Sequence, residues 1–332
     1  MRSARLGWAI MLSTACGDEL GRDGSPNPQA PGLSAGEGDD GLELDVGGGG
    51  DDGLKLDVDG GPTTPTDGCY AADLLFVIDN SGSMCEAQEG LAQVVPNLVD
   101  AMFDSLPLGI DLHVGVVTTS FSHGGSHMET GCAAAEGPAT IEAAFIIDER
   151  VDFNGYQGRL FEYDGLPFFA ARTDDDSARD ELKDWFSGAI VDVGCSGGAF
   201  DFPVAAAGYA AAAAGYEAEA SNVGFVRDAG AVLGIFVLTN ETDHSPGGIA
   251  SYRDMILEAK QQCGGAECVL TAGLLAPNCV PEYDPPIWQF LNAFGATPAW
   301  ANIQDPSLYE GVVAQTLAEG LVQTCGEIDP VG

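Results

Sequence analysis

Two stretches of the chain, Leu74–Ile78 and Ala231–Leu238, are apolar at every position or nearly so, apart from one glycine in the second. Continuous rather than alternating apolarity predicts strands covered on both faces, as in a parallel sheet. Further strands are predicted at Leu112–Thr119 and Cys268–Leu275. The segment Thr140–Ile147 alternates more and reads as an edge strand. Between the strands the apolar spacing becomes helical. Over Glu86–Leu106, residues Leu91, Val94, Val95, Leu98 and Met102 share one face, and Pro96 is expected to kink or restart the helix. Helices are also predicted near Ala178–Ile190, Asp201–Ala218, Ser251–Gln262, Ile287–Phe294 and Pro306–Gln323. Strands alternating with helices predict an α/β fold, a doubly wound and mostly parallel sheet with helices on both faces. The stretch 150–198 breaks the pattern with aromatic patches and an acidic run, and is expected as an insertion.

The first 67 residues do not belong to that pattern. Arg2 and Arg5 precede the ten-residue apolar run Leu6–Ala15, too short to span a bilayer, and the run ends at Ala15-Cys16. This resembles an export signal with a lipoprotein cleavage site, residues 1–16, in which Cys16 becomes the lipidated first residue. Ser13 stands where such sites usually carry Leu, so a plain signal peptide remains the alternative. Residues 17–67 are rich in Gly and Asp, with DDGLELDV at 39–46 repeated as DDGLKLDV at 51–58, and read as a disordered acidic tether. One folded domain is expected over 68–329.

Charge narrows the function classes. The 332 residues hold 51 Asp and Glu against 12 Lys and Arg, a net charge of −39. Such a chain repels nucleic acid and anionic lipid, so no nucleic-acid partner is expected, and membrane contact is expected only through an N-terminal lipid. No zinc-protease motif occurs and no phosphate-cradling glycine loop follows a predicted strand, and the chain is not expected to be an enzyme. Nine cysteines are present, and setting Cys16 aside leaves Cys69, Cys85, Cys132, Cys195, Cys263, Cys268, Cys279 and Cys325. An even number in an exported chain predicts disulfides rather than zinc. Cys263 and Cys268 are close enough to close a small loop.

Both fully apolar strands end in polar clusters, Asp79-Asn80-Ser81-Gly82-Ser83-Met84 and Thr239-Asn240-Glu241-Thr242-Asp243-His244-Ser245. In an open α/β sheet such loops, at the carboxyl ends of the strands, are where ligands bind. The strand LLFVID followed by NSGSM resembles the first loop, Asp-x-Ser-x-Ser, of the metal-ion-dependent adhesion site of von Willebrand factor type A (VWA) domains. The resemblance covers roughly Cys69 to Cys325. The blocks HVGVVTT, GFVRDAGAVLGIFVLTNETDHS and FLNAFG also resemble VWA lipoproteins of myxobacteria and their relatives.

The resemblance implies a divalent-metal site holding Mg²⁺, or Mn²⁺ or Ca²⁺, on Asp79, Ser81 and Ser83. Hard cations favour such oxygen ligands. The family's second loop offers a Thr hydroxyl; the corresponding stretch here is Gly197–Asp201, so Asp201 is expected in or beside that slot. The third loop offers Asp, whereas this chain has Asn240, with Glu241 or Asp243 as substitutes. The implied function is that of an exported, surface-displayed adhesion protein that engages a protein or polysaccharide, through an acidic side chain drawn to an under-neutralised ion. An extra carboxylate at 201 would weaken that pull. The alternative is a disulfide-stabilised structural envelope protein with a degenerate, metal-free site. The family also implies a Cys69–Cys325 bridge joining the domain's ends, which leaves Cys132 with Cys195 and Cys85 with Cys279.

Overall fold

The computed structural model describes residues 69–121, 145, 153–198, 200–212, 222–277, 279 and 285–325. They form a six-stranded sheet of order β3-β2-β1-β4-β5-β6. Its strands are β1 (Ala71–Ile78), β2 (Asp111–Thr118), β3 (Phe168–Arg172), β4 (Ala231–Thr239), β5 (Val269–Leu275) and β6 (Ala299–Asn302). All neighbours pair in parallel except β2 and β3. Every residue of β1, β4 and β5 is buried, as their unbroken apolarity requires of central strands covered on both faces.

The helices are α1 (Cys85–Ser105), α2 (Asp176–Val193), α3 (Pro203–Ala211), α4 (Ile249–Ala259), α5 (Pro286–Leu291) and α6 (Tyr309–Cys325). One sheet face is covered by α1, with α2 and α6 packed on either side of it, and the other by α3, α4 and α5. Thus the sheet is doubly wound, as expected. The core runs through its centre, where Phe76 stacks on Phe236 at 4.9 Å and meets Phe186 of α2 at 4.7 Å. Among the described residues no helix is long and apolar enough to cross a membrane.

Several local expectations change. Pro96 lies inside α1, which continues unbroken to Ser105. The antiparallel edge strand is β3, within the stretch expected as an insertion, and α2 follows it. Here Asp175 caps α2 by accepting from the amides of Ser177 and Ala178. The strand expected at 140–147 lies outside the described residues, apart from Phe145. So do Cys16 and Cys132 and the whole of the tether.

The disulfides correct two pairings. Cys85 bonds to Cys195, across 110 residues, and not to Cys279; Cys195 is therefore not paired with Cys132. The reason is spatial: the Gly197 amide donates to the Asn80 carbonyl at 2.7 Å, which lays the 195–198 turn against the start of α1. Cys263 bonds to Cys268, as spacing predicted. Cys69 and Cys279 are also disulfide-bonded. The Cys325 side chain, needed for the pairing with Cys69, lies outside the described set.

At the amino-terminal edge of the sheet, fully buried Asp73 holds Arg227, whose Nε donates to Oδ1 at 2.8 Å and whose amide donates to Oδ2 at 2.7 Å. Burial raises the Asp73 carboxyl despite the guanidinium, and lowers the nearby His113 imidazole. Buried Lys260 donates to the carbonyls of Arg227 and Ala231, and desolvation brings its ammonium down to about 8.

Candidate metal centre

Strand register builds the site. Ile78 of β1 pairs with Thr118 on one side and Leu238 on the other. The next residues, Asp79, Thr119 and Thr239, therefore emerge side by side at the carboxyl edge. This is also where the strand order reverses, between β1 and β4, which opens the crevice used by ligands in such sheets.

Asp79 is wholly buried and both its oxygens are committed. Oδ1 accepts from the Ser81 amide at 2.8 Å and Oδ2 from Thr239 Oγ1 at 2.8 Å. Gln88 of α1 donates to the Asp79 carbonyl at 2.9 Å. The loop then turns so that Ser81 Oγ and Ser83 Oγ lie 2.8 Å apart. Ser83 Oγ donates to Asn240 Oδ1 at 2.9 Å and to Glu241 Oε1 at 3.1 Å. Asn240 returns the contact, its amide donating to the Ser83 carbonyl at 3.1 Å. The Glu241 amide is held by Thr239 Oγ1 at 3.0 Å.

Asp201 comes from the segment leading into α3 and is buried. Thr119 Oγ1 donates to its Oδ1. Its Oδ2 is buried with no hydrogen-bond donor. Burial, then the charge of Asp79, then that of Glu241, raises the Asp201 carboxyl well above the ordinary carboxylate range. Two carboxylates this close either share a proton or share a cation.

Loop one is braced from behind. Ser120 Oγ donates to Asn80 Oδ1 at 2.8 Å and accepts from the Gly198 amide at 3.0 Å. The Cys85–Cys195 bridge fastens the same turn to the first residue of α1. Cys279 Sγ lies 3.8 Å from the Glu241 carbonyl, so a second bonded cysteine sits behind the third loop.

Of the six expected ligand positions, five converge: Asp79, Ser81, Ser83, Asn240 and Asp201. Asp243 is held elsewhere. Its Oδ1 accepts from the Val204 amide at 3.1 Å and from Ser245 Oγ at 2.6 Å, and Oδ2 accepts from the Ser245 amide, which together cap the start of α3. Burial pushes its carboxyl up to about 6. Sequence reasoning named Glu241 only as a substitute, and it is the third acid of the cluster. It placed Asn80 and Thr239 in the two polar clusters without giving them a role and passed over Ser120 and the role of Thr119, all polar residues at or just past strand ends, which was the available signal.

The donor set fits a small hard cation. In an octahedron with bonds of about 2.0–2.1 Å, neighbouring oxygens lie about 2.9 Å apart; at Ca²⁺ distances of about 2.4 Å they lie about 3.4 Å apart. The observed separations around Ser83 Oγ are 2.8, 2.9 and 3.1 Å, which are the lengths of ordinary hydrogen bonds and admit such an ion without selecting it over Ca²⁺. Among the described residues no three His, Cys, Asp or Glu side chains are grouped to hold a metal by themselves. The cluster instead mixes carboxylates with hydroxyls and an amide, as Mg²⁺ and Mn²⁺ accept.

No family profile and no curated protein sequence matches the chain. Similar solved structures include proximal thread matrix protein 1 of the mussel byssus, at 11% identity and a TM-score of 0.42 over 76% of this chain and 49% of that one. A von Willebrand factor type A protein from Catenulispora acidiphila is 14% identical, with a TM-score of 0.41 over 76% and 43%. The pilus adhesin SpaC of Lactobacillus rhamnosus GG, in its open conformation, is 12% identical, with a TM-score of 0.38 over 78% and 31%. The chain spans less than two thirds of the length of each of these structures. At such identities and scores the likenesses carry no functional argument, and the site stands on its own geometry.

Proposed function

We propose that this chain is an exported binding protein whose carboxyl-edge face holds Mg²⁺ or Mn²⁺ and engages a protein or polysaccharide partner. The observation that carries the reading is the convergence of Asp79, Asp201 and Glu241 with Ser81 and Ser83, in which the buried Asp201 Oδ2 lacks a donor. A divalent ion would satisfy that oxygen and quench the repulsion between the acids. Asp79, with both oxygens fixed, orients loop one; Ser81, Ser83 and Glu241 would hold the ion; Ser83 and Asn240 are only partly buried and leave it approachable. Export is supported by the bonding of Cys69, Cys85, Cys195, Cys263, Cys268 and Cys279, since such bonds persist in oxidising compartments. Lipidation at Cys16, with residues 17–67 as a tether, belongs to the same proposal.

Thermal denaturation of EDTA-stripped protein tests it. A saturable rise in Tm with Mg²⁺ or Mn²⁺, absent in Asp79→Ala, is expected; a flat response would reject the metal. One observation favours a second reading, a metal-free structural protein: a proton shared between Asp201 and Asp79 can also quiet the cluster. That form has a Tm indifferent to EDTA.

A further inference from the structure

We infer that the carboxyl-edge face selects a cationic partner, a lysine- or arginine-rich protein segment, and not the acidic side chain that an under-neutralised ion would draw in. The inference deepens the binding role proposed above, but it holds with or without the ion. Three carboxylates, Asp79, Asp201 and Glu241, stand against one dication and leave one negative charge. With a proton on Asp201 the balance is zero, and with no ion it is negative. None of these states offers net positive charge to a partner's carboxylate, and the buried Asp201 Oδ2 accepts from no donor, so the cluster can still take up a proton or a cation.

The surroundings repeat the message. Glu86 and Glu89 are exposed in the first turns of α1, immediately after loop one. Asp192 is exposed near the end of α2, three residues before Cys195, whose bridge to Cys85 brings it to the same rim.

Among the described residues no Lys or Arg side chain is placed to offset them. The described residues include seven Lys and Arg side chains. Arg172 is engaged by Asp111 and Asp174, Arg179 by Asp100 and Asp104, Lys183 by Asp100, Arg227 by Asp73 and Arg253 by Asp254. Arg159 and Lys260 are buried. None of these seven is exposed and unengaged to meet an acid, and the chain as a whole carries −39.

Two labelled peptides, (Lys-Gly)₅ and (Glu-Gly)₅, test the inference by fluorescence anisotropy on the full chain, with Mg²⁺ and with EDTA. Salt at 150 mM limits general attraction to a range of about 8 Å. The lysine peptide is expected to bind in both conditions and the glutamate peptide in neither. Glu86→Gln/Glu89→Gln is expected to weaken the lysine peptide by about tenfold. Glu258→Gln/Glu267→Gln removes the same charge at the opposite edge of the sheet and is expected to leave binding within about twofold. Two results would overturn the inference: binding of the glutamate peptide once Mg²⁺ is added, or equal losses in the two double variants. A flat Mg²⁺ titration together with rim-dependent lysine-peptide binding would remove the metal and uphold the cationic partner.

Discussion

A methyl group added at Gly197 should disable the site from behind. Its Cβ would sit 2.4 Å from Asn80 Oδ1, 2.5 Å from Cγ and 2.7 Å from Nδ2. Asn80 has one short, buried side chain and cannot swing clear, so it must shift by about 1 Å to reach ordinary contact. That shift breaks the 2.8 Å bond from Ser120, whose hydroxyl also holds the Gly198 amide. Leaving a buried amide unsatisfied costs about 1–3 kcal/mol, and overpacking adds about 1–3 kcal/mol. The sum, about 2–6 kcal/mol, corresponds to a fall in Tm of roughly 4–24 °C for a domain of this size. Thermal denaturation of Gly197→Ala, Asn80→Ala and the double variant is the assay. The cost of Gly197→Ala should shrink by more than about 1 kcal/mol once Asn80 is truncated, because the clash has then gone. Additive effects, or a Tm within about 2 °C of wild type for Gly197→Ala, would refute the bracing role of Asn80.

Other expectations follow from the same structure. Asp73→Ala strands the Arg227 guanidinium beside the buried edge of β1 and should cost about 3 kcal/mol in urea unfolding; a loss under about 1 kcal/mol would show that solvent already screens the pair. Cys85→Ala/Cys195→Ala opens a 110-residue loop and should lower stability by about 4–5 kcal/mol in the entropy model, with weaker Mg²⁺ binding; an unchanged Mg²⁺ affinity would show that loop one needs no clamp. In EDTA, the raised Asp201 carboxyl gives stability that is full below the ordinary carboxylate range and lost as pH rises through its folded value. Asp201→Asn should flatten that slope, and in wild type Mg²⁺ should stabilise more at higher pH because the ion replaces the proton. Parallel pH profiles for wild type and variant would remove Asp201 from the account.

Much of this architecture was legible in the sequence because burial writes itself into apolar runs. Residues 74–78 and 231–238 could only be central strands, and the loops after them had to meet at the strand-order reversal. β3 was not legible: a five-residue edge strand, Phe168–Arg172, with no fully buried residue carries no such run. β6, four residues long with Ala301 alone buried, is too short to carry such a run. Within the site, Asp79, Ser81 and Ser83 announce themselves by spacing in one loop. Asp201 and Glu241 matter through a convergence of three segments that no local pattern encodes. Asp243 looked equivalent to Glu241, yet the open amides at the start of α3 captured it. Cys85 and Cys195 found each other through the Asn80–Gly197 backbone contact, which spacing does not reveal.

Crystals grown or soaked with Mn²⁺ and measured at its absorption edge would test the central claim most directly. The account predicts one anomalous peak within about 2.3 Å of the hydroxyls of Ser81 and Ser83, with Asp201 or Glu241 in its shell. Absence of a peak there, with Asp201 and Asp79 in mutual contact, would contradict the metal centre and leave a proton-sharing acid pair in its place.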